Sequence, residues 1–406
     1  MTLNGTLSTL RGRLRAVPRG VVMLGFVSLF MDFSSEMIHA LLPLYLVGPL
    51  GASTALVGFV EGVAESIAAI TKVFSGAISD RIGKRKPLVL IGYGLAAITK
   101  PVFPLASSAW MVVGARFVDR FGKGLRGAPR DALIADLTTP GTRGAAYGLR
   151  QSMDTVGAIL APAAAITLMW LYNDFRLVFW IAVIPAVVSV LFVVFGVVES
   201  DPEPREAASG PKLDWHMVGR LPGLYWAVLS VAFVLTLARF SEAFLVLAAN
   251  HAGLAVALAP LVFVAMNVVY SITSALAGSL SDGFDRRTIL MVGAAALVAS
   301  DLFLAMTESL LAVGAGVLVW GLHMGLTQGL FAAFVADVAP ADLRGTAFGL
   351  YNLATGLAML AASVIAGLLW DAGGPTATFL AGAGFTLLAL FGMLLLPKGH
   401  AAPHGD

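Results

Sequence analysis

Cysteine is absent from the chain, and charge is scarce. The first absence excludes disulfides, thiolate metal sites and thiol catalysis. The second says more: Asp, Glu, Lys and Arg make up 12% of the residues while 58% are hydrophobic, where a soluble domain carries about 25% charged residues. A soluble chain of 406 residues would fold as two or three domains with polar skins, and no long polar segment is available to build them. The expected solvent is therefore lipid. A net charge of +2 is too small and too dispersed to point to nucleic acid. No HExxH helix, Gly-rich phosphate loop or metal-spaced carboxylate set occurs, so the pattern is not that of an enzyme, and no ATP-binding segment or cofactor site is expected.

What is present is a series of long apolar runs. A bilayer core of about 30 Å needs about 20 apolar residues in a helix. The breaks predict twelve spans over 20–48, 53–79, 87–107, 109–134, 144–170, 175–199, 221–249, 256–281, 287–306, 309–337, 344–370 and 375–396. Strands are excluded, because continuous apolar segments of this length satisfy their backbone only as helices. Alternate connections hold nearly all the basic residues: Arg11 to Arg19, then Arg81, Lys84, Arg85 and Lys86, then Arg143, then Arg205, Lys212 and Arg220, then Arg286 and Arg287, Arg344 and Lys398. The opposite connections hold only Arg176. This bias predicts a multi-pass protein of the cell inner membrane with both termini cytoplasmic. The run after Arg19 is too long for a cleavable signal and reads as a retained first helix.

The halves of the chain repeat. Ala135, Asp136, Arg143, Gly144, Gly148 and Leu149 recur 201 residues later as Ala336, Asp337, Arg344, Gly345, Gly349 and Leu350. Gly76, Ser79, Asp80 and Arg85 recur at an offset of 202 as Gly278, Ser281, Asp282 and Arg287. Ser35 and Glu36 find a weaker echo in Ser241 and Glu242. The polar stretch around Asp201 to Arg205 lies between the copies. The expected organisation is a six-helix bundle over 1–199, a cytoplasmic linker over 200–220 and a second six-helix bundle over 221–406. Parallel six-helix repeats are a common transporter plan, with substrate held between them near the midplane.

The connection after the second span reads Gly76-Ala-Ile-Ser-Asp80-Arg81-Ile-Gly83-Lys84-Arg85-Lys86. It fits, without a departure, the loop signature G-x-x-x-D-[RK]-x-G-x-[RK]-[RK] of the major facilitator superfamily, which the chain resembles over essentially its whole length. The resemblance implies an all-α fold of two pseudo-symmetric six-helix bundles and a transporter of small molecules. It also implies that Gly76, Asp80, Arg81, Gly83, Arg85 and Lys86 form a conformational lock on the cytoplasmic side, with Asp282 in a degraded second copy. A basic cluster alone would follow from the positive-inside rule; the complete motif does not. In the fifth span Gly148, Gly157, Ala161, Pro162 and Ala165 resemble the family's antiporter signature, with two glycines replaced by alanine. Ordinary small-residue packing would account for them as well.

Ionisable side chains within a membrane helix cost at least about 2.5 kcal/mol each, and here they are many. Asp32 and Glu36 lie four apart on the first span; Arg116, Asp119, Arg120, Lys123, Arg126 and Arg130 make a stripe on the fourth; Arg150 and Asp154 lie four apart on the fifth. At 1.5 Å per residue, Asp32, Lys123 and Arg120 fall about 18, 16 and 21 Å from the cytoplasmic ends of their spans. Arg120, Lys123, Gly124 and Ala128 also resemble the family's fourth-helix pattern, with Arg126 in place of a glycine. By that resemblance Asp32 and Glu36 are candidate proton carriers and Arg120 the cation that tunes them. Lys123, Arg126, Arg150, Asp154, Glu242 and His323 are candidates to line a substrate cavity; pairing within the protein is the competing reading for Arg150 with Asp154 and for Arg239 with Glu242. Met31, Asp32, Glu36, Met37, His39, His323 and Met324 mix hard and soft ligands without a diagnostic metal spacing. The expectation is a monomeric, proton-coupled antiporter expelling a small organic compound, with uptake of an anionic metabolite or export of a divalent metal as alternatives.

Overall fold

The computed structural model describes residues 17–199, 218–280, 286–340 and 343–396, and among these every regular element is helical. The elements are α1 (Arg19–His39), α2 (Leu42–Val47), α3 (Thr54–Ile82), α4 (Lys86–Thr99), α5 (Val102–Leu105), α6 (Ala109–Asp136), α7 (Pro140–Tyr172), α8 (Phe175–Leu191, closed by a π turn over Phe192–Gly196), α9 (Gly223–Ala238), α10 (Ala243–His251), α11 (Leu261–Leu280), α12 (Arg286–Leu304), α13 (Leu310–Val338) and α14 (Arg344–Leu395).

Among the described residues ten stretches are long and apolar enough to cross a membrane. One of these, Thr346–Leu395, would reach about 75 Å if straight, more than twice a bilayer core. It is broken at Gly374, whose φ of 76° suits a residue without Cβ, and Pro375 follows, so it supplies two crossings. The 28-residue α6 is long enough to cross but is set apart from the apolar stretches by its charges. With those two additions the twelve crossings read from the sequence are accounted for. The fine structure differs from unbroken spans at several places, the first being the turn at Ala40–Leu41 between α1 and α2. The seventh is interrupted between Ala238 and Ala243, with Arg239 at φ −100° and ψ 64° ending α9. The third is interrupted at Lys100–Pro101, where Pro101 cannot donate to the helix ladder.

The turns follow from local chemistry. Asn173, at φ 48°, closes α7 in the left-handed conformation, and the Asp174 side chain accepts from the backbone of Arg176 (2.8 Å) and Leu177 (3.4 Å) to cap α8. At the signature loop Gly83 has φ 73° and open space around it; the motif's second glycine is thus a backbone requirement of the turn from α3 to α4.

The helices pack as two compact units, one of residues 1–42 and 67–210, the other of 43–66 and 211–406, so that the boundary falls inside α3 between Ser66 and Ile67. In the first unit α1 lies on α7 and α8, and α4 on α6; in the second α13 lies on α11 and α12, and α14 on α9 and α12. Small residues bring the backbones together. A Cβ on Gly122 would stand 2.6 Å from the Gly92 carbonyl oxygen, and one on Gly157 would stand 2.5 Å from that of Leu29. The internal repeat is visible at this level. Gly124 packs on Thr71 within the first unit, and Gly325, 201 residues on, packs on Thr273 within the second.

The distribution of polarity is that of a protein in lipid. Trp170, Phe195 and Leu311 are 76%, 80% and 86% exposed, while Lys100, Arg116, Asp119, Arg120, Asp301 and His323 are buried. Water would impose the reverse arrangement; hydrocarbon outside imposes this one.

Gly122→Val is expected to destabilise the first unit by about 1–3 kcal/mol through overpacking at the α4–α6 contact. Gly94→Val, where a Cβ meets nothing within 4 Å, is expected to change little. Thermal unfolding in detergent compares the two.

Candidate functional site

The sequence-predicted groups of the first, fourth and fifth spans all belong to the first unit, and three helices carry them. Asp32 and Glu36 project from one face of α1, the basic stripe from α6, and Arg150 with Asp154 from α7. Gly157 sets α7 directly against the α1 backbone at Leu29, and this contact puts one turn of α7 level with Asp32. The Asp32 carboxyl meets that of Asp154, with Lys123 and Arg126 close by. Glu36 pairs with His39 at 3.6 Å and lies near Lys123 and Arg120. Lys123, which is exposed, is therefore close to both acids. Asp32 and Glu36 are themselves half-buried.

Not every member of the α6 stripe faces this cluster. Arg126 lies over the Tyr93 ring, 4.5 Å from its centroid, and donates to the Gly92 carbonyl at 3.5 Å. Arg130 donates to Asp131 at 3.1 Å and reaches Ser28 and Tyr93. Arg150 pairs along its own helix with Asp154 at 3.4 Å. These contacts tie α6 to α4 and α1 and hold the Asp154 carboxyl in place, as buried ions require.

Sequence reasoning passed over one ion pair. Lys100, 2% exposed, donates to Asp119 at 3.0 Å and to the Ser35 hydroxyl at 3.0 Å. It joins α4's end to α6 and to the residue beside Glu36. A lysine inside an apolar run and a single acid inside a basic stripe were the available signal.

The signature loop forms its own network within the first unit. Arg85 pairs with Asp80, donates to Ser79 at 2.7 Å and reaches Asp136 at 3.4 Å. Glu199 accepts from the backbone of Arg85 and, at 3.0 Å, of Lys86, capping α4 from a distant point in the chain. The Lys86 ammonium donates to the Val194 carbonyl at 3.1 Å. Gly76 lies beside Ala128, and Arg81 is exposed. Asp282 lies outside the described residues.

In the second unit Arg239 stands at the break of the seventh span near Glu242, Tyr270 and Tyr351. His323 is fully buried, its Nδ1 2.7 Å from the Gly293 carbonyl and its ring 6.5 Å from that of Trp320. Asp301 is also fully buried, beside Gly382. Among the described residues no three His, Asp or Glu side chains come together as metal ligands.

Known proteins resemble the chain both in sequence and in fold. The family model for the Major Facilitator Superfamily matches residues 24–358 and 228–406. An uncharacterised MFS-type transporter of Methanocaldococcus jannaschii is 31% identical over 390 residues, which is 94% of this chain and 95% of that one. Multidrug resistance protein MdtH of Proteus mirabilis is 32% identical over 161 residues, covering 40% of this chain and 37% of its own. Among solved structures, nucleoside transporter NupG aligns with a TM-score of 0.77 at 13% identity, over 94% of this chain and all of that one; at that identity the likeness is one of fold. Twelve crossings, an internal repeat, an intact signature loop and these matches agree: the chain is a multi-pass membrane transporter that belongs to the major facilitator superfamily.

Proposed function

We propose that the protein is a proton-coupled antiporter that expels a small organic compound by alternating access between its two repeats. The observation that carries this reading is the meeting of the Asp32 and Asp154 carboxyls beside Lys123, where Gly157 sets α7 against α1. Two carboxyls brought together away from water repel each other unless one is protonated or a cation neutralises them. A cation that moves onto the pair competes for the same charge and displaces that proton. Lys123 supplies such a cation from within, and a cationic group on the solute supplies one from outside. Glu36, flanked by His39 and Arg120, is the second carrier, and Arg120 holds the charge balance around it. Export is the direction supported by the partial match to the multidrug proteins and by Gly157, whose antiporter-signature position packs on α1.

On this reading residues 1–199 and 221–406 act as the two moving bundles. The Lys/Arg bias puts both termini on the cytoplasmic side of the inner membrane, and the working unit is the monomer. Uptake of an anionic metabolite remains the second reading, because the bases Arg116, Arg120, Lys123, Arg126 and Arg130 outnumber the acids Asp119, Asp131 and Asp136 on α6. Divalent-metal export gains no ligand cluster among the described residues.

Proteoliposomes with an imposed pH gradient and ethidium as the solute test coupling. Asp32→Asn and Glu36→Gln are each expected to lower gradient-driven efflux to below about a tenth of the native rate, with unfolding temperatures unchanged. Undiminished coupling in both would remove them as carriers. In the same assay Asp80→Asn, which weakens the pairing of Asp80 with Arg85, is expected to slow turnover severalfold without altering the dependence on pH. A native rate would leave the signature loop without a role in the cycle.

A further inference from the structure

At the start of α3 the backbone amides of Thr54 and Ala55 donate to the two oxygens of Asp371, at 3.0 and 2.9 Å. The Thr54 hydroxyl also donates to this carboxylate, and the Ser53 side chain joins the group. The first amides of a helix have no partner within it and carry the positive end of its dipole. Asp371 therefore caps α3 from 317 residues away in the chain. Beneath this cap α3 and α14 touch backbone to backbone. A Cβ on Gly367 would stand 2.5 Å from the Thr54 carbonyl oxygen, and one on Gly62 would stand 3.0 Å from the Leu360 backbone. At the far end of the seam the Ser66 hydroxyl donates to the Gly356 carbonyl at 2.6 Å.

The seam ends where the division of the molecule lies. Residues 43–66 group with 211–406, and α3 from Ile67 onward groups with the other unit. In that unit Ser75 donates to the Gly124 carbonyl of α6 at 2.9 Å. One continuous helix is thus held at its start by Asp371 and α14 and along its second half by α6. The signature loop with Asp80 and Arg85 follows its far end, about 40 Å along the axis.

We propose that Asp371 is a latch: it keeps the transporter closed on the membrane face where α3 begins, and its release from the α3 amides is a required step in opening that face. The placement pairs it with the signature loop, so that the two ends of α3 carry one lock each. No covalent chemistry is involved; the latch is a capped helix end that must be uncapped, at a cost, before the glycine seam beneath it can part. The proposal rests on alternating access but not on proton coupling or on the identity of the solute.

The cysteine-free chain allows a test that needs no substrate. Single reporters Ser66→Cys, inside the seam, and Lys72→Cys, beyond it, are introduced into the full chain in lipid nanodiscs and labelled with a soluble maleimide. Adding Asp371→Ala is expected to raise the labelling rate of the Ser66 reporter about tenfold, the size of effect expected for loss of a helix cap, and to lower that of the Lys72 reporter. Thr54→Val, which removes only the hydroxyl contact, is expected to give a smaller change of the same sign and carries the test if Asp371→Ala fails to fold. Unchanged labelling of the Ser66 reporter would overturn the latch. So would a rise there with no change at Lys72, because Asp371 would then be a local cap and not part of a two-state movement. Loss of pH-driven ethidium efflux as a property of the native protein would leave these labelling outcomes intact, so failure of the antiport reading and failure of the latch are separately visible.

Discussion

The constraint on which the rest of the structure depends is the cost of charge in hydrocarbon. α6 crosses the membrane carrying six ionised side chains within fifteen residues, and such a helix is tolerable only if protein surrounds its polar face. The neighbours are arranged to do this. Tyr93 and Gly92 of α4 receive Arg126, Lys100 receives Asp119, and α1 and α7 bring their acids to Lys123 and Arg120. The small residues at Gly92, Gly122, Gly124 and Gly157 let these helices come close enough for the pairing to be made. Packing and electrostatics are one design here: a larger residue at those glycines would separate the charges as well as the helices.

That arrangement also explains why the two repeats, alike in fold, differ in chemistry. Positions 201 residues after Arg120, Lys123 and Arg126 are Gly321, Met324 and Thr327. The second repeat therefore needs no acids to neutralise α13, and it fills the space with aromatic rings instead. Phe240 lies within 6 Å of Phe244, Trp320 and Phe379, ring centre to ring centre. One repeat is thus rich in buried charge and the other in aromatic surface.

Much of this was legible in the sequence, for physical reasons that can be named. Lipid demands long apolar runs, so the crossings stand out, and α6 stands out by breaking the rule. The repeat and the signature loop survive as residue identities, and Gly83 proved to be held there by its backbone angle. The spacing of four between Asp32 and Glu36 placed them on one face. What spacing could not supply was the rotation of one helix against another. That Asp154 of α7 meets Asp32, while Arg126 turns toward Tyr93, depends on three helix phases at once. Lys100 was hidden as an ordinary end-of-span residue before Pro101. Asp371, beside Gly373, Gly374 and Pro375, reads as a solvated turn residue, and only the fold reveals that a helix end lies on top of it. The break at Arg239 has no proline or glycine to announce it.

The proposed coupling needs a proton held by the Asp32 and Asp154 pair and displaced by a cation. The most direct measurement is proton release by the purified protein in weakly buffered detergent on addition of ethidium, followed with a pH-sensitive dye. About one proton per bound cation is predicted for the native chain, and none for Asp32→Asn at equal occupancy. Equal release from both, or binding by the native protein with no release, would contradict it.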